Sequence, residues 1–319
     1  MGVFSGLNNL SDITLSTRFG GLCGYTQDEV EAVFADYIEQ TSAAMGITLE
    51  DLKNQLRHWY NGYQFAPDAP RVYNPFSTLK FFYEGRFQNY WFATGTPTFL
   101  LDLIQEKAYP VPELENLELS EHGFDSFEIE RLQVEPLLYQ TGYLTIKSYN
   151  PERMLYRLDY PNYEVEAAFI KHLADRFGTI RKELIDSHIF KLIDALAVDD
   201  VDGFFDELRV FFADIPYDLH IKQEKYYHTI FYLIFKLLGY HIEAEVHSHK
   251  GRADAVIATE GVVYVMEFKL FDTAESALAQ IKEKGYSEPY RTRGVPVVLM
   301  GVEFDAAQRN VGRYVVERE

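Results

Sequence analysis

Asp254 and Glu267 lie thirteen residues apart, and between them run two short stretches of β-type residues joined by Glu260-Gly261. If those two residues form a two-residue hairpin loop, residue 259 faces 262 and residue 254 faces 267. A longer loop would shift that pairing. In the tight register the Cβ atoms of the two acids stand roughly 4.5–5.5 Å apart on one face of the ribbon. Two bare carboxylates repel at that spacing, but they are suited to sharing a divalent cation. Lys269, two residues beyond Glu267, projects to the same face.

The residues around this ribbon complete a small fold pattern. Glu224 to Leu238 form a strongly apolar helical stretch that Gly239 stops. Strands are then expected over 240–247, 253–259 and 262–270, a helix over 273–285, and a last strand over 295–301. The run Val295-Pro296-Val297-Val298-Leu299-Met300-Gly301 is almost continuously apolar. It fits a buried strand reached by a crossover helix. Helix, antiparallel meander, crossover helix and strand make an α/β module over 221–319.

Hydrolysis of a phosphodiester requires a water placed opposite the leaving oxygen and neutralisation of the charge that builds on the phosphoryl group. Mg²⁺ or Mn²⁺ accepts carboxylate oxygens, keeps several waters and lowers the pKa of one of them. Asp254 and Glu267 are the expected ligands, with the backbone carbonyl of Phe268 as a third. Lys269 would hold the attacking water or stabilise developing charge. The plain alternative is a surface hairpin whose acids and lysine are solvated. On the preceding strand His241, Glu243, Glu245, His247 and His249 alternate with apolar residues, which reads as a polar outer face or as a Zn²⁺ stripe. Glu245 is retained as an accessory acid, as is Glu224 in the first turn of the entering helix.

Composition narrows the classes. The chain has 319 residues and a net charge of −19, and its length suits two or three domains. Residues 1–220 carry 17 basic against 35 acidic side chains, and residues 221–319 carry 13 against 14. The N-terminal two-thirds therefore repels phosphate backbones and is a poor nucleic-acid platform, although it could serve a protein partner. A single cysteine, Cys23, excludes an internal disulfide and a thiolate cluster, and fits a reducing, cytoplasmic setting. No signal peptide or membrane-spanning segment is apparent in the sequence.

The N-terminal part mixes short helices with aromatic turns, over 1–149. Residues 28–34 read as helix and 59–65 as an aromatic turn, and Tyr73-Asn74-Pro75-Phe76-Ser77 reads as a helix start. A second aromatic cluster spans 89–97. At this acidity these rings are expected in the core and turns rather than in a base-stacking platform. Residues 150–220 read as a helical connector.

Two stretches resemble known families. Gly251-Arg252-Ala253-Asp254, Glu267-Phe268-Lys269 and Ala277-Leu278-Ala279-Gln280-Ile281-Lys282-Glu283-Lys284-Gly285-Tyr286 resemble the motifs of the PD-(D/E)XK nuclease superfamily. More closely, residues 221–319 are similar to the nuclease-like domain that follows an AAA-ATPase-like domain in many bacterial proteins. The resemblance implies a restriction-endonuclease-like, three-layer mixed sheet flanked by helices. It also implies metal binding by Asp254 and Glu267, assistance by Lys269, and a site lined by Gln280 and Tyr286. Nucleic acid would be the substrate, DNA rather than RNA.

Residues 1 to about 165 resemble the C-terminal part of the AAA-ATPase-like domain, through Phe4-Ser5-Gly6-Leu7-Asn8-Asn9-Leu10, Trp59-Tyr60-Asn61-Gly62-Tyr63, Tyr73-Asn74-Pro75, Tyr90 to Pro97 and Gln140-Thr141-Gly142-Tyr143-Leu144. This implies a mainly helical remnant ahead of the nuclease-like module. No G-x-x-x-x-G-K-[ST] occurs, and Gly20-Gly21-Leu22-Cys23-Gly24 lacks the lysine, so no ATP site is expected. The resemblance suggests a chain without its nucleotide-binding front half. The expected function is metal-dependent phosphodiester hydrolysis, and the alternative is a catalytically inactive nuclease-like fold that acts as a protein-interaction module.

Overall fold

The computed structural model describes residues 13–92, 98–107, 109–124, 133–178, 182–214, 224–241, 243–246, 253–305 and 307–319. Three of the motif segments, Phe4 to Leu10, Ala93 to Pro97 and Gly251-Arg252, therefore lie outside the described residues, as do His247 and His249. The chain divides into two compact units, Met1–Phe169 and Ile170–Glu319.

In the first unit the helices are α1 (Gln27–Val33), α2 (Ala35–Met45), α3 (Leu49–Tyr60), α4 (Pro75–Glu84), α5 (Thr98–Glu106), α6 (Glu121–Phe124) and α7 (Val134–Gln140), with α8 (Tyr163–Gly178) containing the division. Local chemistry sets their starts. Thr26 and Glu29 form a capping box on α1, Thr48 accepts from the Asp51 N–H to cap α3, and Asn74 caps α4 with Pro75 in its first turn. A core of Leu52, Leu56, Tyr60, Tyr73, Phe81 and Tyr90 gathers α3, α4 and the segment after α4.

Strands β1 (Asn61–Tyr63) and β2 (Val72–Tyr73) form one small sheet, and β3 (Leu117–Ser120), β4 (Thr145–Asn150) and β5 (Leu155–Asp159) another, in the order β3-β5-β4. The unit is thus less purely helical than expected. Gly62 has φ +129°, and a Cβ there would lie 2.0 Å from the Pro161 carbonyl oxygen, so only glycine fits that crossing.

Glu164, in the first turn of α8, is almost completely buried. Its Oε1 accepts from the Ser77 hydroxyl (2.9 Å) and from the backbone N–H groups of Tyr90 (2.8 Å) and Trp91 (3.0 Å). One carboxylate oxygen therefore joins the start of α4, the 90–91 segment and α8. Burial holds its pKa above the usual carboxylate value.

The second unit holds α9 (Lys182–Ala197), α10 (Val201–Ala213), α11 (Glu224–Gly239) and α12 (Ala274–Glu283) about a five-stranded sheet. Its strands are β6 (Glu243–Val246), β7 (Ala255–Ala258), β8 (Val263–Lys269), β9 (Val297–Asp305) and β10 (Asn310–Arg318), in the spatial order β10-β9-β8-β7-β6. Strands β6, β7 and β8 form an antiparallel meander, and β9 runs parallel to β8 after the α12 crossover.

Strand alternation separates two faces. On one, Val256, Ala258, Val263, Val265, Val297 and Leu299 pack with Ile281 and Tyr286. On the other, Phe268 meets Phe231 and Phe235 of α11, Phe304 meets Phe212 of α10, and the Tyr264 hydroxyl donates to the Leu196 carbonyl (3.1 Å) and to Asp199 (2.9 Å). Helices, mixed sheet and helix form the three layers that the sequence suggested.

The helices α9 and α10, from the stretch read as a connector, belong to these layers. Arg209 of α10 donates to the carbonyls of Val311 (3.2 Å) and Gly312 (2.9 Å), and Phe205 stacks on Tyr314 at 3.9 Å. These contacts cover the edge strand β10, which the sequence reading did not include. Strand β9 also extends to Asp305, beyond the expected end at 301.

Candidate functional site

The β7–β8 ribbon has the register expected of a two-residue loop. Ala255 pairs with Met266, Val256 with Val265, Ile257 with Tyr264 and Ala258 with Val263. The Thr259 N–H donates to the Val262 carbonyl at 2.9 Å across Glu260-Gly261. One step beyond the Ala255–Met266 pair, Asp254 and Glu267 stand at the open end of the ribbon. Asp254 Oδ2 accepts from the Phe268 N–H at 2.9 Å, which fixes that carboxylate beside the strand carrying Glu267.

Glu267 is 3% exposed. Its Oε1 accepts from Lys269 Nζ at 3.1 Å and from Gln280 Nε2 in a very short contact, while Lys269 Nζ also donates to Gln280 Oε1 at 2.6 Å. Gln280 on α12 thus bridges the ammonium and the carboxylate with both ends of its amide. Glu267 Oε2 is buried with no hydrogen-bond partner among the described residues. Burial, and then the neighbouring Asp254 charge, push the Glu267 pKa up to about 7, against the opposing pull of Lys269.

Two neighbouring carboxylates, one of them buried with an unused oxygen, fit a hard divalent cation, which would add to the positive charge of Lys269. Among the described residues no group of three or more His, Cys, Asp and Glu side chains gathers as a metal set. A backbone carbonyl, such as that of Phe268, or water would complete such a set.

The other expected residues lie on neighbouring elements. Tyr286 follows α12 and is buried in the apolar layer with Ile281, Val297 and Leu299, so its ring supports the helix bearing Gln280. Glu245 pairs with Val256 on β6, and Glu224 opens α11.

One residue of the site region escaped the sequence reading. Gly301 of β9 pairs with Glu267 of β8 and lies under α12. Its signal was a glycine inside an apolar strand, which marks a close backbone approach.

Among the described residues no helix is long and apolar enough to cross a membrane. No solved structure matches the chain significantly. An uncharacterized protein in the vnfD 5′ region of Azotobacter chroococcum mcd 1 is 38% identical over 329 residues, covering 99% of this chain and 60% of its own length. The chain thus spans about three-fifths of the curated relative it matches. These comparisons leave the AAA-ATPase-like resemblance of residues 1–165 resting on its sequence motifs. The stretch that carries Asp254, Glu267, Lys269 and Gln280 matches the PD-(D/E)XK nuclease superfamily over residues 222–314.

Proposed function

We propose that the second unit contains a Mg²⁺- or Mn²⁺-dependent nuclease centre that hydrolyses phosphodiester bonds in nucleic acid, with DNA as the expected substrate. The observation that carries this reading is the buried Glu267 carboxylate, with one oxygen unused, set beside Asp254 and held by Lys269. The superfamily match over 222–314 supports it. Asp254, Glu267 and the Phe268 carbonyl would hold the cation. When bound, the cation supplies a Lewis acid for the phosphoryl oxygens and a water of lowered pKa.

The chain's own groups do the rest. The Phe268 N–H orients Asp254, so that carboxylate needs little reorganisation to bind a ligand. Lys269 presents an ammonium beside Glu267, placed to hold the attacking water or to balance charge on the phosphoryl group. Gln280 orients Lys269. Tyr286 is assigned a supporting role beneath α12, and Glu245 and Glu224 are kept as accessory acids.

Calorimetric titration of Mn²⁺ into the wild-type chain and into Glu267→Ala tests the centre without choosing a substrate, and cleavage of plasmid DNA and of RNA by wild type and Asp254→Ala tests the chemistry. Metal binding and cutting should both disappear in the variants. Equal Mn²⁺ binding by wild type and Glu267→Ala would remove the basis of this reading.

The second reading is a protein-interaction module. Tyr37, Phe76, Tyr83 and Phe99 are exposed in the first unit, within a stretch of strong negative charge, and exposed apolar rings of this kind mark protein contacts. A stable complex in pull-downs, with no divalent-cation effect on the melting temperature, would favour it. ATP hydrolysis is not proposed, because no sequence element cradles the β and γ phosphates.

A further inference from the structure

Strand β9 passes beneath α12 with almost no clearance at one point. A Cβ built on Gly301 would lie 2.1 Å from the Ala274 carbonyl oxygen, 2.6 Å from the Leu278 nitrogen and 3.0 Å from the Leu278 Cβ. The first two are backbone atoms of the helix, so rotating a side chain cannot relieve the clash. The helix underside matches this approach, because Ala274 and Ala277 are fully buried with only methyl groups between backbone and sheet. Gly301 also pairs with Glu267 in the parallel ladder, so the close point lies beside the carboxylate that Gln280 reaches.

The reach of Gln280 depends on that clearance. Its side-chain amide donates to Glu267 Oε1 and accepts from Lys269 Nζ at 2.6 Å. A side-chain hydrogen bond is no longer made once donor and acceptor stand about 3.6 Å apart, and charge-assisted bonds such as these normally run at about 2.7–2.9 Å. Interiors are packed to the density of organic crystals, so an added methyl must be accommodated by moving an element. A helix lifted far enough to admit a methyl at 301 carries Gln280 away from both partners.

We propose that Gly301 is a positioning residue: by having no side chain, it seats α12 against β9 so that the Gln280 amide can clamp Lys269 to Glu267. Its effect is indirect, through the helix, and Gly301 itself touches neither the carboxylates nor a ligand. That this clamp serves turnover rests on the nuclease reading. The clamp itself does not.

The test is Gly301→Ala in the full chain, with Gly261→Ala as control, since nothing lies within 4 Å of a Cβ built at Gly261. The primary readout is the Gln280 side-chain amide in ¹⁵N spectra, identified by its absence in Gln280→Ala. In wild type and in the control its protons should exchange slowly with water, and in Gly301→Ala at least tenfold faster.

If the chain cleaves nucleic acid, Gly301→Ala should lower kcat about tenfold or more while KM stays within about twofold, as expected for lost orientation. In a Gln280→Ala background the same substitution should then cost no further kcat. Should Gly301→Ala fail to fold, Leu278→Ile moves a methyl onto the Cβ that faces Gly301 from the helix side and is read the same way. A folded variant with the wild-type Gln280 signal overturns the proposal, and so does failure of both variants to fold, which would make Gly301 a requirement of the fold alone. Faster amide exchange in a chain that neither binds Mn²⁺ nor cuts would support the clamp and remove the nuclease reading.

Discussion

At the scale of single residues, Glu267 has the most to lose and gain from protonation. Its pKa of about 7 in the folded chain stands above the ordinary carboxylate value of 4.5, first because it is buried and then because Asp254 faces it. A carboxyl with a raised folded pKa binds its proton more tightly when folded. Its contribution therefore favours the native state at low pH and is lost as pH rises from about 4.5 through about 7. Glu267→Gln removes the buried charge, so at pH 8 the cation-free variant should be more stable than wild type by on the order of 1–2 kcal/mol. Urea unfolding at pH 8 and pH 5 checks this, and the difference should shrink at the lower pH. The same proton competes with a cation. Mn²⁺ affinity, followed by calorimetry between pH 5.5 and 8, should rise with pH and level off above about 7, and a flat profile would mean that Glu267 is not a ligand.

Among the elements, the β7–β8 hairpin shows what could be read in advance. A two-residue turn sets its register locally, so the meeting of Asp254 and Glu267 followed from the spacing about Glu260-Gly261. Capped helices such as α4, with Asn74 and Pro75 at its start, were legible for the same reason. Strand β10 was not, because Arg313, Glu317 and Arg318 give it a polar cast, and only pairing with β9 and cover from Arg209 and Phe205 make it a strand. The strands β4 and β5 were missed likewise, since their short runs mix apolar and polar residues. Tyr286 was read as a site residue, but no local signal distinguishes a ring facing a cleft from one beneath a helix. Nothing in the sequence around Glu164 sets it apart from an ordinary first-turn acid, whereas it satisfies two backbone donors and a hydroxyl from distant segments. Glu164→Ala would leave those N–H groups buried and unpaired, and should destabilise the first unit by about 2–4 kcal/mol. The fluorescence unfolding curve reports it, because Trp59 and Trp91 both lie in that unit.

At the scale of the whole chain, that placement of both tryptophans separates two signals. Tryptophan fluorescence reports the first unit, whereas far-ultraviolet circular dichroism reports helices of both. A cation that binds the folded second unit stabilises it by about 2.7 kcal/mol at a hundredfold excess over its Kd. Mn²⁺ should therefore raise a melting transition seen by circular dichroism and leave the fluorescence midpoint within about 1 °C, since multidomain chains need not unfold in one step. A matching rise in the fluorescence midpoint would instead report that the units melt together. The sharp division of charge, near neutral after residue 220 and strongly acidic before it, means that long-range repulsion of a polyanion comes mainly from residues 1–220. The hairpin gives the second unit a practical geometry as well. Its Glu260-Gly261 tip lies six residues along the strand from Asp254, roughly 20 Å at the usual rise, and open space surrounds Gly261. A peptide tag spliced into the tip could anchor the molecule to a bead or sensor chip at a point well removed from its acidic end.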